Sequence, residues 1–245
     1  MKVLAIIPAR YGSTRFPGKP LVDIAGQTLI QRVYQQCLKA TGVHKTIVAT
    51  DDTRIMEHVL SFGGDAVMTA TTHPTGTDRC VEAYQKLGER YDIILNIQGD
   101  EPFVAPEQIN TLAHIFELNP QAQIGTLAKL ITDPDEITDP KEAKVVFNAQ
   151  NQVLYMSRSP IPYFKDLEIS QWNTHHDYFK HIGIYGFRES TLLEISSMKQ
   201  TKLEKVESLE QLRWLDKYSM YLGFTDIDTL SIDRPEDLKE VYKYV

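Results

Sequence analysis

Buried strands alternate with amphipathic helices through the first half of this chain. Residues 3–7 and 93–97 are short, almost wholly apolar runs, and residues 46–50 give a third strand signal. Residues 28–40 repeat apolar side chains at the spacing of one helix face. Apolar strands separated by helices are typical of parallel strands joined by helical crossovers. We therefore predict an α/β fold with a mostly parallel central sheet flanked by helices.

The rest of the chain continues this pattern with one interruption. We predict further helices over 52–62, 77–90, 106–118 and 203–218 and from Pro235, and further strands near 65–68 and over 124–131, 143–156 (with a turn at 148–151), 181–187 and 219–225. The polar stretch 164–178 is expected to leave the main sheet. We predict a single domain over 1–245, in which residues 160–205 form a small inserted β/α subregion that is the expected partner surface.

A loop rich in cations and turn residues follows the first strand directly. Residues 8–20 contain three cations, no acid, two glycines and three prolines, which excludes the interior of a helix or strand. The loop leaves the carboxyl end of a central strand, where open α/β sheets bind ligands. Arg10 and Arg15 offer forked donors to phosphate, and Lys19 offers a point charge. The loop therefore suits a polyanion such as a triphosphate, the alternative being a solvated basic loop.

Two better-known phosphate loops do not match this segment. A Walker A loop has four residues between its first glycine and its Gly-Lys pair, followed by Ser or Thr. Here five residues separate Gly12 from Gly18, and Pro20 follows Lys19. A dinucleotide fingerprint requires G-x-G-x-x-G, and Gly12 has no partner glycine at that spacing. A dehydrogenase is therefore disfavoured.

Composition and charge limit the other classes of function. Apolar residues make up 42% of the chain, charged residues 24%, and the formal net charge is −7, which argues against general binding of nucleic acid. Cys37 and Cys80 lack metal-ligand spacing and are expected to be reduced thiols. No apolar run approaches the ~18 residues of a membrane span. Because a strand follows Met1 almost directly, we expect no signal peptide, no membrane partner and a cytoplasmic location.

Two aspartates follow apolar segments at positions that suit metal binding. Asp100 comes after the strand at 93–97, and Asp233 follows Ile232 and precedes the final helix. Both should face the crevice beside the cationic loop, where two carboxylates and the phosphates of a substrate could bind Mg²⁺. The structural alternatives are a helix cap for Asp233 and an Asx turn for Asp100.

Several sequence blocks occur in the order found in one enzyme family. They are Ile7–Leu21, Ala49–Asp51, Thr75–Arg79, Asn96–Pro102, His181–Tyr185, Leu209–Arg213 and Ile232–Leu238. Over essentially the whole chain these blocks resemble the CMP-Kdo synthetases, the 3-deoxy-manno-octulosonate (Kdo) cytidylyltransferases. Arg234 stands where threonine is commoner in that family, a departure that leaves the carboxylate of Asp233 intact.

The resemblance implies a Rossmann-like nucleotidyltransferase fold and a homodimer. It implies that CTP and Kdo give CMP-Kdo and pyrophosphate with Mg²⁺, for lipopolysaccharide synthesis. The implied catalytic residues are Arg10, Lys19, Asp100 and Asp233, the last two as metal ligands. The implied nucleotide-binding residues are Ala9, Arg10, Ser13, Arg15, Lys19, Thr75, Gly76 and Arg79. The implied sugar-binding residues are Gln98, Arg158, His181, Tyr185, Glu210 and Gln211.

The sugar-binding residues also have structural interpretations. Strand alternation places His181 and Tyr185 on one face, where they could flank a sugar or fill the core. Glu210 lies off the stripe predicted for the helix at 203–218, so it could meet either sugar or solvent. Arg158 could bind the sugar carboxylate or form an ion pair. At the level of function, the alternatives are a cytidylyltransferase for neuraminate or an amino variant of Kdo, and a nucleotide-binding regulator.

Overall fold

The computed structural model describes residues 1–242 and 244 as a three-layer α/β/α structure. The strands are β1 (Val3–Ala9), β2 (Asp23–Ile24), β3 (Gln27–Thr28), β4 (Lys45–Thr50), β5 (Ala66–Met68), β6 (Ile93–Asn96), β7 (Ile124–Leu130), β8 (Lys144–Phe147), β9 (Val153–Ser157), β10 (Phe179–Arg188) and β11 (Met220–Phe224). The helices are α1 (Leu29–Lys39), α2 (Thr53–Ser61), α3 (Gly76–Leu87), α4 (Pro106–Leu118), α5 (Pro134–Thr138), α6 (Trp172–His175), α7 (Glu189–Ile195), α8 (Lys202–Glu207), α9 (Gln211–Leu215) and α10 (Leu238–Val241).

The central sheet is mostly parallel, as predicted. Its main path runs β11-β7-β10-β6-β1-β4-β5, and the β8–β9 pair extends it from β10. Strand β10 pairs antiparallel with β6 and β7, whereas β1, β4, β5 and β6 pair in parallel. No helix among the residues described above is long and apolar enough to cross a bilayer.

Strand β1 shows why the sheet is buried on both faces. Val3, Ala5 and Ile7 belong to an apolar cluster shared with α1, α2 and α4. Leu4 and Ile6 point the other way, into a cluster shared with α3, α7 and α9. Because successive side chains of a strand alternate between faces, a continuous apolar run requires cover on both sides.

The chain order reverses beside β1, and this places the site. Strand β1 is flanked by β4 on one side and β6 on the other. The chain therefore runs from β1 to one side of the sheet through β4 and β5, and returns to the other side of β1 at β6. A crevice opens at the carboxyl ends of the strands where the order reverses, and ligands bind there in open α/β sheets. The loops that follow β1 and β6 are therefore brought side by side.

The predicted helix over 203–218 is wrong. The segment forms α8 and α9 instead, separated by Ser208 in the left-handed region at φ 52°. The carboxylate of Glu207 accepts hydrogen bonds from the Ser157 hydroxyl at 2.6 Å and the Arg158 amide at 2.9 Å. These contacts with β9 redirect the chain, and Val206, expected on the buried stripe, is 84% exposed.

The inserted subregion is shorter than predicted. Residues 160–178 leave the sheet and pack around a small apolar cluster that contains Trp172 and Tyr178. The later part of the predicted 160–205 segment returns as β10, which lies inside the main sheet between β6 and β7. The dimerisation role of the segment stays a prediction.

Candidate active site

The loop after β1 folds back on itself around Tyr11. The Tyr11 carbonyl accepts hydrogen bonds from the amides of Ser13 and Gly18, both at 2.9 Å. Gly18 has φ 73°, and a Cβ there would lie 3.1 Å from the Tyr11 ring, so glycine suits this position twice over. The guanidinium of Arg54 lies 3.4 Å from the centre of the same ring. The loop is thereby held against α2 and delivers Lys19 into the crevice.

Lys19 brings the two predicted metal-binding aspartates together. Its Nζ lies 2.8 Å from an Asp100 carboxylate oxygen and 3.6 Å from an Asp233 carboxylate oxygen. It also donates to the Ile232 carbonyl at 2.6 Å. The Ile232 amide donates to the Asp100 carbonyl at 2.9 Å, so the two acidic loops are joined through their backbones. The Lys19 nitrogen therefore contacts groups that lie 81 and 213 residues away in the sequence.

Gly99 allows the loops after β1 and β6 to approach so closely. A Cβ at this position would lie 2.6 Å from the Pro8 carbonyl oxygen, closer than packed atoms can approach. Gly76, at the start of α3, is similarly close, with a Cβ placed 3.2 Å from the Pro8 ring. The strand end, the Asp100 loop and the first turn of α3 are thus packed into one wall.

The predicted nucleotide-binding residues line one open cleft. Its cavity volume is about 200 Å³, below the ~300–1,000 Å³ usual for small-molecule sites, because the cleft is open to solvent. The cleft is lined by Pro8, Ala9, Arg10, Ser13, Arg15, Lys19, Pro20, His73, Pro74, Thr75, Gly76, Arg79, Gln98, Gly99, Asp100 and Asp233. All eight nucleotide-binding positions implied by the resemblance are in this set, together with the four catalytic ones.

Arg79 lines this cleft, but its guanidinium binds protein groups behind the cleft surface. Its side chain is 4% exposed, and its guanidinium forms an ion pair with Asp51 at 2.8 Å. It also donates to the Thr69 hydroxyl at 2.6 Å. Thr75 caps α3, because its hydroxyl accepts from the Asp78 amide at 3.1 Å. Of the other arginines and lysines of this cleft, Arg10 is exposed, whereas Arg15 and Lys19 pair with the aspartates of the site.

A second cleft adjoins the first. Arg15 and Asp233 line both clefts, and Arg15 Nη1 lies 3.1 Å from Asp233. The second cleft carries balanced charge, being lined also by Glu101, Lys141, Glu142, Arg158, Lys180, His181, Ile182, Gly183, Asp228, Thr229, Ser231, Arg234, Glu236 and Asp237. A polyhydroxy acid bound here would lie directly beside a triphosphate in the first cleft.

His181 and Tyr185 share a face of β10, as predicted. Their ring centres are 5.3 Å apart, although the pairing of β10 with β7 shifts between Ile182 and Tyr185. Burial lowers the pKa of His181 to about 4, so its imidazole is neutral near pH 7 and lies 2.9 Å from the Thr126 hydroxyl. Burial, with the nearby carboxylates of Glu210 and Glu101, raises the pKa of Tyr185.

The other predicted sugar-binding residues are placed differently from one another. Gln98 lines the nucleotide cleft and donates to the Gly183 carbonyl at 3.1 Å. Arg158 lines the second cleft, yet its guanidinium donates to four backbone carbonyls, among them Glu207 at 2.7 Å and Pro140 at 2.8 Å. Arg158 therefore binds neutral backbone carbonyl groups and does not form the ion pair considered from the sequence.

Glu210 and Gln211 lie behind the two clefts rather than in their walls. Glu210 binds Arg213 at 2.6 Å and Thr77 at 3.2 Å, and burial raises its pKa although Arg213 opposes the shift. Gln211 is 4% exposed, and its amide lies 3.5 Å from the Met156 sulfur. Their contact with a sugar stays a prediction.

Two residues near the site were missed in the sequence. Glu101 is 6% exposed, lines the second cleft and has one carboxylate oxygen without a partner among the described residues. Burial, and to a lesser extent Asp100, raise the pKa of Glu101 to about 8. His73 lines the first cleft beside Thr75. Position alone could have suggested both, since Glu101 lies within the Asn96–Pro102 block and His73 lies two residues before the Thr75–Arg79 block.

The donor set of the first cleft fits Mg²⁺. Asp100 and Asp233 supply hard oxygen ligands that lie within 3.6 Å of one ammonium nitrogen, so one small cation could meet both. Mg²⁺ usually takes one or two carboxylates and completes its shell with water and substrate phosphates. Among the described residues, no group of three or more His, Cys, Asp or Glu side chains forms a cage for a metal. The metal would therefore arrive with the phosphates.

Comparison with known proteins agrees with this arrangement. The cytidylyltransferase family model matches residues 4–222. A 3-deoxy-manno-octulosonate cytidylyltransferase from Cytophaga hutchinsonii is 50% identical, covering 98% of this chain and 96% of its own. One from Parabacteroides distasonis is 48% identical, covering 100% and 98%. A solved CMP:2-keto-3-deoxy-manno-octonic acid synthetase complexed with CTP is 39% identical, with a TM-score of 0.92 and coverage of 100% and 98%. The chain belongs to the cytidylyltransferase family.

Proposed function

We propose that this chain transfers the CMP group of CTP to Kdo, releasing pyrophosphate. The observation that carries the proposal is the convergence of Lys19, Asp100 and Asp233 where a phosphate-sized cleft opens into a second, polar cleft. The relatives named for this reaction cover nearly the full chain. CTP would occupy the first cleft and Kdo the second.

The shared edge of the two clefts sets the geometry of the reaction. The anomeric hydroxyl of Kdo releases its proton to solvent water and forms a bond to the α-phosphorus, while the bond from that phosphorus to the bridging oxygen breaks and pyrophosphate leaves with its electron pair. In this proposal Arg15 and Lys19 face the transferring group and stabilise the negative charge that develops on it in the transition state. Arg10, exposed at the cleft, binds the departing phosphates.

Asp100 and Asp233 would hold Mg²⁺, which when bound neutralises phosphate charge and orients the leaving group. Lys19 pairs with both carboxylates and Arg15 pairs with Asp233, so two cations face the two acids that would hold the metal.

The proposal extends to assembly and location. A homodimer is supported by a partly exposed aromatic cluster, in which Phe147 and Phe179 lie 5.2 Å apart and both contact Phe224. We propose as well that the chain works in the cytoplasm, where CTP is made, and supplies CMP-Kdo for lipopolysaccharide synthesis. Sedimentation velocity of the full chain tests the dimer.

A pyrophosphate-release assay with CTP, Mg²⁺ and a panel of acidic sugars tests the function. The panel contains Kdo, an amino variant of Kdo and neuraminate. We expect release with Kdo, dependent on Mg²⁺. Release with neuraminate alone would reassign the acceptor, and binding of CTP without release for any sugar would favour a nucleotide-binding regulator.

A further inference from the structure

The loop between β11 and α10 lines the second cleft, which is the acceptor cleft of the proposed function. Four side chains of this loop border the cleft, namely Asp228, Thr229, Ser231 and Asp233. Residues 180–183 of β10 border it as well. The distance between the loop and β10 therefore limits the space in which an acceptor can bind.

The backbone of this loop is bound to the rest of the chain near its two ends. At the start, the Thr225 amide donates to the Ala128 carbonyl at 3.1 Å. At the end, the Ile232 amide donates to the Asp100 carbonyl at 2.9 Å. Residues 226–231 adopt neither helix nor strand, so side-chain contacts decide where this stretch lies.

Asp228, in the middle of the loop, binds two lysines of the sheet. One carboxylate oxygen contacts Lys129 Nζ of β7, and the other lies 3.0 Å from Lys180 Nζ of β10. The two lysines are directly opposite each other in the antiparallel pairing of β7 with β10, where like charges repel. Their side chains are 15% and 8% exposed, so solvent screens this repulsion poorly. The carboxylate between them offsets it and ties the loop to both strands.

Other contacts near Asp228 do not replace this one. Glu136 binds Lys180 at 2.9 Å, but Lys129 has no ion pair except that with Asp228 among the described residues. The Gln108 amide donates to the Ile227 carbonyl at 3.1 Å, which holds the loop to α4 rather than to β10.

We propose that Asp228 is a positioning residue that sets the width of the acceptor cleft. Its contact with Lys180 joins the loop to β10, and Thr229 and Ser231 are thereby held at the border of the space that the acceptor occupies. Loss of the charge leaves two lysines in repulsion beneath the loop and frees the loop to move away from β10. The inference rests on the proposed function, since it takes the second cleft to bind the acceptor.

Four variants separate positioning from a general loss of charge. Asp228→Asn keeps the size of the side chain and removes its charge, whereas Asp228→Glu keeps the charge. Lys129→Met added to Asp228→Asn removes the repulsion but leaves the loop untied, which serves if the single variant does not fold. Asp226→Asn is the matched control, because the Asp226 side chain is exposed in the same loop and forms no hydrogen bond or ion pair among the described residues.

The first measurement is amide hydrogen exchange of the full chain without substrate. It follows the Ile227 and Ile232 amides, which are hydrogen-bonded at 3.1 and 2.9 Å. We expect exchange about tenfold faster in Asp228→Asn and in the double variant. Asp228→Glu and Asp226→Asn should exchange at nearly the wild-type rate.

The second measurement is the steady-state kinetics of pyrophosphate release. KM for Kdo should rise about tenfold in Asp228→Asn and in the double variant, while KM for CTP stays unchanged. A wild-type KM for Kdo, a lowered one, or an equal rise in Asp226→Asn would overturn the inference, as would wild-type exchange rates in Asp228→Asn. If the wild-type protein released no pyrophosphate with Kdo, the proposed function would fail, and the exchange rates would still decide whether Asp228 fixes the loop.

Discussion

Replacing Lys19 with alanine tests the arrangement of the site most directly. The side chain is 12% exposed and its nitrogen contacts Asp100, Asp233 and the Ile232 carbonyl. The substitution removes the buried cation at the point where both acids meet. Turnover should therefore fall far more than nucleotide binding, which Arg10 and Arg15 still support.

The size of the effect follows from the role assigned to the charge. Loss of one preorganised donor to a developing oxyanion costs about 10²–10³ in kcat, or ~2.7–4 kcal/mol. The fold loses less, because the Ile232 carbonyl is left without its donor at a cost of about 1–3 kcal/mol. For a chain of this length each kcal/mol lowers Tm by about 2–4 °C, so Lys19→Ala should remain folded at 25 °C.

The assay is pyrophosphate release at saturating CTP, Kdo and Mg²⁺, with Lys39→Ala as the control. Lys39 is exposed in the last turn of α1 and contacts only Gln36 among the described residues, at 3.1 Å, so its removal should change neither kcat nor Tm. If folded Lys19→Ala kept wild-type kcat, Lys19 would have no place in the mechanism, and the convergence of the acids would need another explanation.

Three further substitutions probe the metal, the acceptor and a buried acid. Asp100→Asn keeps an acceptor for Lys19 but loses the negative charge. The Mg²⁺ concentration that gives half-maximal activity should therefore rise at least about tenfold. An unchanged Mg²⁺ titration would show that Asp100 is not a metal ligand. His181→Asn should raise KM for Kdo about tenfold and leave KM for CTP alone, whereas equal changes would contradict its place in the acceptor cleft. The pKa of Glu101 lies at about 8 instead of 4.5, so its contribution to stability is full below pH 4.5 and is lost as pH rises towards 8. Glu101→Gln should therefore gain stability on wild type across that window, measured by urea unfolding in EDTA, and a constant difference would refute the shift.

Position at the ends of strands was enough to predict the centre of the site. Asp100 follows β6 and Lys19 lies in the loop after β1, and adjacent parallel strands bring such loops to one edge. Long apolar periodicity likewise predicted the helices that cover the sheet. These features depend on local sequence patterns, and no contact with a distant segment changes them.

Contacts between distant segments account for what was not predicted. Ser208 interrupts the expected helix because Glu207 bonds to Ser157 and Arg158, about 50 residues away. Arg79 is turned into the wall by Asp51, 28 residues away. In both cases the local sequence permits the predicted conformation, and a polar or charged partner distant in the sequence decides the outcome.

The adjacent acids Asp100 and Glu101 show how one loop serves two clefts. Asp100 lines the nucleotide cleft and is paired with Lys19, whereas Glu101 lines the acceptor cleft and has no cation beside it among its described contacts. The Lys19 ammonium pairs with Asp100, while burial raises the pKa of Glu101 to about 8 and keeps a proton on it near pH 7. A single turn after β6 therefore presents a carboxylate to the phosphates and a neutral carboxyl group to the acceptor, a division of charge that two aspartates or two glutamates in equal surroundings could not provide.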